Sequence, residues 1–263
     1  MNITLRLEQP EDYRIVEEVT REAFWGTSQP ACDEHLLAHK LRKSSAFVPE
    51  LDFVAELDGQ IVGNIMYSKA KIIGKNETEH EVLTFGPLSI LPEYQKQGIG
   101  AKLVNHTIRE AKKLEYCGIV IFGHPDYYPK FGFKNAEEYG ITTAEDKNFD
   151  AFMALPLYDN AFDNIKGKFH ENPVFHMKKS EVKKFDSTFP YKEEKSFIPI
   201  NALLIRLAPN AQNAINEHHI MYLHVLNTFS GREIASWKGM DKESLDIINL
   251  VLQKYGLPKK NFC

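Results

Sequence analysis

The sequence predicts an α/β domain over residues 1–178, a linker over 179–198 and a small all-helical domain over 199–263. Three observations carry this division. Residues 81–123 read strand, helix, strand, a βαβ-like order. Residues 52–72 hold two apolar runs separated by Asp58-Gly59, the signal of a β-hairpin. From residue 199 onward the strand signals stop and short helical periods replace them.

In chain order, residues 2–7 read as a first short strand. The turn Gln9-Pro10-Glu11-Asp12 leads into a helix near 11–24, with Tyr13, Ile15, Val16, Val19 and Phe24 roughly on one side. A second helix is expected over 33–43. The hairpin strands are 52–57 and 60–72, and 81–91 forms a long strand. Residues 98–115 are helical, with Val104, Ile108, Ala111 and Leu114 on one face. The apolar run 118–123 suits a buried strand beside that helix. Residues 178–196 are charge-rich with little apolar period and read as a linker or a surface helix. Short helices follow at 200–206, 209–217, 220–227, 230–236 and 242–255.

Bulk properties exclude several classes. The 263 residues are 43% hydrophobic and 26% charged, an ordinary globular composition, and a net charge of −4 gives no bulk attraction to nucleic acid or an anionic membrane. Cys32, Cys117 and Cys263 make neither a zinc pattern nor a disulfide framework, so a cytoplasmic setting and no metal are expected. The start, MNITLRLEQPEDYRIVEE, lacks the pattern of a signal peptide, and no apolar run approaches the ~20 residues of a membrane span.

The stretch Gln95-Lys96-Gln97-Gly98-Ile99-Gly100-Ala101 puts two glycines at the start of the 98–115 helix. A helix start has unpaired N–H groups and a positive dipole end, and glycine removes the side chain that would keep an anion away. That is a phosphate cradle. A Walker loop needs Lys-Ser/Thr after its last glycine, but Ala101 follows Gly100; a dinucleotide loop needs a third glycine where Leu103 stands.

The pattern Q/R-x-x-G-x-G/A at 95–100, opening a helix after a strand, resembles motif A of the GNAT superfamily of N-acetyltransferases. The lead-in FGPLSILPEYQ (85–95) and the later VIFGHPDYYPKFGF (120–133), with its Y-x-x-x-G-F, are similar to that family too. The resemblance spans about residues 1–178 and implies the acyl-CoA N-acyltransferase fold with a mixed central sheet. It implies acetyl-CoA as cosubstrate, its pyrophosphate on the N–H groups of Gln95, Lys96, Gln97, Gly98, Ile99, Gly100 and Ala101, and its pantetheine along the backbone of Leu88, Ser89 and Ile90. Gly86-Pro87 inside that strand predicts a bulge or break, because proline cannot donate to a ladder. The tyrosine four residues before Gly132-Phe133 is Tyr128, which the resemblance makes the general acid for the departing thiolate. Adjacent Tyr127 reads as packing.

The base stays open among Glu81, His124, Asp126, Glu22 and a water chain. The resemblance draws the acceptor walls from the early helices, with Phe24, Trp25, Glu34 and His35, and from late strands, with Tyr158 and Phe162. Each of these also has a plain packing explanation.

Residues 199–258 carry a second resemblance, to the helix-hairpin-helix C-terminal domain of the bacterial RNA polymerase alpha subunit. It rests on the L-x3-S-x2-E rhythm from Leu226 and on Lys238-Gly239-Met240 before Lys242, Ser244 and Leu245; Asn213 also matches. Asn210, Asp241 and Glu243 depart from it where phosphate contacts are expected. With seven Lys/Arg and five Asp/Glu from residue 199 on, this segment points to protein docking or a structural role rather than DNA. Trp237 beside the hairpin reads as core. The expected function is transfer of an acetyl group from acetyl-CoA to a primary amine of a small molecule or a protein. The alternative is a catalytically weak CoA-binding module that docks through its helical tail.

Overall fold

A computed structural model describes residues 2–27, 31–194, 197–218 and 220–262; Cys263 lies outside them. The chain forms two compact units, one from residues up to Phe24 and from Asp33–Tyr191, the other from Trp25–Cys32 and from Lys192 onward.

The first unit runs β1 (Ile3–Leu7), α1 (Tyr13–Phe24), α2 (Glu34–Leu41), β2 (Phe53–Leu57), β3 (Gln60–Ile73), β4 (Glu79–Ile90), α3 (Ile99–Lys113), β5 (Gly118–Phe122), β6 (Lys134–Asn135), β7 (Ile141–Thr143), β8 (Phe152–Pro156), β9 (Gly167–His170) and α4 (Lys179–Asp186). The strands make one mixed sheet in the order β1-β2-β3-β4-β5-β8-β6, with β9 paired to the far end of β3 and β7 to β9. Only the β4–β5 and β7–β9 pairs are parallel among the described residues.

Two buried hydrogen bonds show which helix covers which face. Tyr67 Oη meets Thr107 Oγ1 of α3 at 2.9 Å, whereas Thr20 Oγ1 of α1 donates to Asn64 Oδ1 at 3.2 Å. Residues 64 and 67 have opposite parity on β3, so α1 and α3 lie on opposite faces. On α1 the buried stripe facing the sheet is Val16, Val19, Thr20 and Ala23, with Glu17 and Arg21 buried beside it, while Tyr13 and Ile15, expected on the apolar side, are exposed. The spacing i, i+3, i+4, i+7 leaves residue 15 a quarter-turn away from that stripe. On α3 the stripe is Ile99, Leu103, Val104, Thr107 and Ala111, and Leu114 is exposed beyond the helix end.

The segment expected as a linker or a surface helix contains α4, and its part up to Tyr191 belongs with the first unit. Asp186 accepts from Arg21 Nε at 2.6 Å and Nη2 at 3.3 Å, and Arg14 Nη2 donates to the carbonyl of Thr188 at 2.6 Å. Phe189 is buried beneath the Arg14 guanidinium, 3.4 Å from its ring centroid. A second polar cluster lies past α2. Arg42 donates to Glu8 through Nε at 2.8 Å and Nη2 at 2.6 Å, and to Glu17 through Nη1 at 2.9 Å, with all three side chains buried. Asp52, in the same cluster, has its carboxyl pushed far up by burial and by the neighbouring Glu8 carboxyl.

In the second unit the described helices are α5 (Asn201–Leu204), α6 (Pro209–Glu217), α7 (Gly231–Ser236) and α8 (Lys242–Lys254), with a 3-10 stretch at Leu223–Thr228 where a helix over 220–227 was expected. Its core includes Leu203, Ile215, Leu223, Leu226, Ile234, Ile248 and Leu252. Trp237 is part of that core and stacks on His218, ring centroids 3.9 Å apart. Trp25 is buried in this unit, its indole N–H donating to the carbonyl of Glu193 at 3.0 Å. No described helix is long and apolar enough to cross a membrane.

Candidate active site

β4 and β5 pair at one register position, Leu83 with Ile119. Beyond it each strand keeps only its outer partner: β4 stays on β3 as far as Ile90 with Gly63, and β5 stays on β8 as far as Phe122 with Phe152. The ladder explains the parting. Ile65 faces Leu88 and Tyr67 faces Phe85, so Gly86 and Pro87 together oppose Met66. Proline brings no N–H, and the extra residue bends and twists the strand. The predicted bulge is therefore present, and the β5-facing edge of β4 carries no strand past it among the described residues. Leu88, Ser89 and Ile90 lie on that stretch. Ser89 is pinned from the other face, its hydroxyl donating to Thr20 Oγ1 at 3.0 Å in a fully buried contact.

From Ile90 the chain passes a 3-10 turn at Pro92–Tyr94 and reaches α3 through Gly98, the residue before its first turn. Gly98 sits at φ +85° and Lys96 at +59°, so the turn is left-handed twice. A Cβ on Gly98 would meet open space, so glycine is needed there for its backbone angle alone. Gly100 has a different reason: its Cβ would stand 3.0 Å from the Tyr127 hydroxyl. The first helical acceptor is the Gly98 carbonyl, bonded by Lys102 N–H at 3.0 Å. The N–H groups of Gln97, Gly98, Ile99, Gly100 and Ala101 have no acceptor among the described residues. Gln95 donates its side-chain amide back to the Ile90 carbonyl at 3.0 Å, and Gln97 to that of Glu93 at 2.8 Å, so neither side-chain N–H reaches forward over the turn. Five clustered donors at a helix start, with exposed Lys96 beside them, form a site for a multiply charged anion.

The two tyrosines reach this region from the segment after β5. The His124 carbonyl accepts from the N–H of Tyr127 at 2.9 Å and of Tyr128 at 3.3 Å, which shapes the turn that carries both. The Tyr128 ring lies 5.7 Å from that of Phe85 on β4, and a Cβ on Gly123, just past β5, would stand 2.4 Å from its Cε2. Tyr128 thus touches both strands across their split. Burial pushes its hydroxyl pKa up, so the phenol stays protonated. Tyr127 packs edge-on against Tyr128 at 5.1 Å under Lys130 Nζ, and its hydroxyl at Gly100 takes it beyond the packing role read from sequence.

The other sequence candidates scatter. Glu81 is exposed and ion-paired with Lys69 at 3.1 Å, two residues on the closed side of the Leu83–Ile119 pair. His124 and Asp126 are exposed, and the His124 Nδ1 accepts from the Asp126 N–H at 3.2 Å. Glu22 is exposed on α1. His35 is fully buried between the Phe185 and Phe189 rings, with Nε2 3.3 Å from Asp186 Oδ1, and burial lowers its pKa to about 4. Burial pushes the Glu34 carboxyl up to about 7. Tyr158 and Phe162 fall in turns after β8 rather than on strands, Tyr158 exposed and Phe162 buried. Sequence reasoning missed Glu171, a half-buried carboxyl one residue past β9 that burial also raises. Its only sequence signal is the alternation Phe169-His170-Glu171. No group of three or more His, Cys, Asp or Glu among the described residues could hold a metal ion.

In the second unit Asp241 caps α8, its Oδ1 accepting from Ser244 N–H at 2.8 Å. The N-terminus that a phosphate would occupy therefore already holds a carboxylate of the chain.

Comparison with known proteins agrees with the first unit's geometry. Residues 50–135 match the model of the acetyltransferase (GNAT) domain. The uncharacterized N-acetyltransferase YjhQ of Escherichia coli K12 is 29% identical over 155 residues, 59% of this chain and 78% of the relative. The uncharacterized N-acetyltransferase YhbS of the same strain is 26% identical over 171 residues, 64% of this chain and 96% of the relative. Among solved structures, E. coli YhbS in complex with CoA superposes with a TM-score of 0.59 at 24% identity, over 66% of this chain and 92% of that one. A GNAT family acetyltransferase from Brucella melitensis in complex with acetyl-CoA gives 0.54 at 29% identity, over 66% of this chain and 99% of that one. The mixed α/β fold of the first unit is GNAT-like.

Proposed function

We propose that the chain transfers an acetyl group from acetyl-CoA to a primary amine. The observation that carries this reading is the parting of β4 and β5 beyond Leu83 and Ile119, with the open amides of 97–101 at its end. A strand edge without a partner costs stability unless something pairs with it. An elongated cosubstrate with an amide-bearing arm and a diphosphate answers both features.

When bound, acetyl-CoA supplies a thioester whose carbonyl carbon an amine can attack. The residues of the chain then divide the work. The N–H groups from Gln97 to Ala101 would hold the diphosphate, aided by the α3 dipole; the Gln95 N–H, expected to join them, is instead bonded to the Pro92 carbonyl at 3.3 Å. The backbone of Leu88, Ser89 and Ile90 would pair with the pantetheine and aim an N–H at the carbonyl oxygen as it gains charge. Thr20 and Asn64 hold that strand in place through Ser89. Tyr128, protonated and in contact with both strands, would donate to the sulfur as the acyl–sulfur bond breaks. The second unit would dock a protein partner or serve a structural role, since the Asp241 cap opposes a nucleic-acid phosphate.

The test is release of free thiol from acetyl-CoA in the presence of a panel of primary amines, with CoA-induced thermal stabilisation measured in parallel. Stabilisation rising with CoA concentration and amine-dependent thiol release are expected. Stabilisation without thiol release from any amine would leave a CoA-binding module and overturn the enzyme reading.

A further inference from the structure

Resting on the acetyl-transfer reading, we propose that Glu171 takes the proton of the acceptor amine and that the half-exposed Phe122–Phe149 stack beside it seats an aromatic body attached to that amine.

The placement follows from strand parity. On β5, Ile119 and Ile121 join the core on the α3 side of the sheet, so Val120 and Phe122 face the other way. Phe122 is the last residue of β5, at the split, and is 47% exposed; Phe149, 46% exposed, lies 6.0 Å from it with the rings 18° from parallel. Two large apolar rings left half in water, side by side, make a flat surface for a third. Phe152 and Phe169 back the stack, with ring centroids 5.0 Å and 6.0 Å from Phe122. The glycine turn opens α3 and belongs to the α3 side. The platform therefore offers the second substrate from the opposite face, so that the two substrates meet at the split.

Phe169 leads to Glu171. It lies in β9, and Glu171 is two residues on, one past the end of the strand, so alternation returns it to the Phe169 face. The chain then makes a 3-10 turn at Pro173–Phe175, fixed by the Asn172 side chain accepting from Val174 N–H at 3.0 Å. That turn brings Phe175 Cε1 to 3.7 Å from where a Cβ on Gly86 would stand, at the β4 bulge. In the chain Glu171 thus falls between Phe169, which meets the ring stack, and Phe175, which meets the β4 bulge. It is half-buried and has no ion pair among the described residues.

Nearby charges are engaged elsewhere: Lys69 by Glu81, Lys71 by Glu79 and Lys168 by Asp146. The exposed His176 is the charged group that acts on Glu171, lowering its pKa against the upward push of burial. A half-buried carboxylate without an ion pair attracts an ammonium. Its raised pKa moves it toward the range in which it can accept a proton.

The step balances. The ammonium gives one proton to Glu171, and the freed nitrogen pair forms a bond to the thioester carbon. The carbon–sulfur bond breaks, with its electron pair leaving on sulfur. The second proton lost by nitrogen ends on that sulfur as thiol, and Glu171 passes its proton to water.

The experiment compares the full chain with Glu171→Gln, Phe122→Ala and Phe149→Ala, using 2-phenylethylamine and n-butylamine as acceptors and measuring CoA affinity alongside. In Glu171→Gln, kcat is expected to fall about 100-fold and the rising limb of its pH profile to disappear, with CoA affinity within about threefold of the parent. In either Phe variant the KM for phenylethylamine should rise about tenfold while that for butylamine holds. Glu171→Gln with near-parent kcat and an unchanged pH limb would overturn the base, and equal KM changes for both amines would overturn the platform. An unmodified protein that binds CoA but acetylates neither amine overturns the acceptor site alone. One that does not bind CoA overturns the cofactor reading and this inference with it.

Discussion

Around Arg42, the carboxylates of Glu8 and Glu17 are buried and each meets the guanidinium at hydrogen-bond distance. Around the β4–β5 split, the same unit leaves, among the described residues, a strand edge bare and five helix-start amides without acceptors, and past β9 it leaves the Glu171 carboxylate without an ion pair. Folding favours the first arrangement, because a buried polar group without a partner costs about 1–3 kcal/mol. The second arrangement adds no such stability, since amides that open a helix are left to water or a ligand. The proposed pair of substrates would use the donors and the open edge, and Glu171 is the proton acceptor assigned to them above. The contrast separates residues that hold the fold from residues kept available for a ligand, and substitutions on the two sides should fail in different assays.

The largest effect is expected on the satisfied side. Arg42→Met strands the buried charges of Glu8 and Glu17, and breaking such a cluster costs about 3–5 kcal/mol. Urea unfolding should show that loss, while the fraction still folded binds CoA as before. If CoA affinity fell with stability intact, the cluster would belong to the site and the comparison would collapse.

Gly98→Glu acts on the open side. It adds a Cβ at a left-handed position, costing about 1–2 kcal/mol of backbone strain, and aims a carboxylate at the anion site. CoA affinity should fall about 100-fold or more, beyond what the strain alone accounts for, as read by calorimetric titration. Unchanged affinity would show that the amides of 97–101 do not hold the diphosphate. Tyr128→Phe is milder. The ring still packs against Phe85 and Phe133, so the fold and CoA affinity should hold while kcat falls about 10- to 100-fold. An unaltered rate would move the donor role elsewhere, and the nearby hydroxyl to test next is Tyr127.

How far the sequence revealed these regions depended on the range of the interactions involved. The strand–helix–strand run was legible because period is written in consecutive residues, whereas Gly98 was read only as a missing side chain and its left-handed φ was not anticipated. The reason for Gly100 was not legible either, since it depends on a hydroxyl 27 positions further along, at Tyr127. β7 and β9 span three and four residues, too few for alternation to stand out, so the Phe169–Glu171 face went unread. α4 buries none of its side chains fully and is rich in lysine, so its pattern left a linker and a surface helix equally open; its attachment comes from Arg21 reaching Asp186 across 165 positions. The Gly86-Pro87 bulge was legible, because the missing proline N–H is a property of one residue.

The smallest effect tests a carboxylate between the two extremes. Glu34, at the start of α2, is half-buried and takes one hydrogen bond, from the Asp33 N–H to Oε2 at 3.1 Å. Burial raises its pKa from an ordinary 4.5 to about 7, so the folded chain holds this proton more tightly than the unfolded one. The stability it contributes is fully present below about 4.5 and is lost as pH rises through about 7. Glu34→Gln keeps an oxygen for the Asp33 N–H and removes the titration. Its melting temperature should match the parent at pH 4 and exceed it by roughly 2–4 °C at pH 8. A constant difference across that range would mean that Glu34 ionises as freely in the folded chain as in the unfolded one. Half-burial without an ion partner would then not suffice to hold a proton in this fold, and the same argument for Glu171 would have to rest on its position at the split alone.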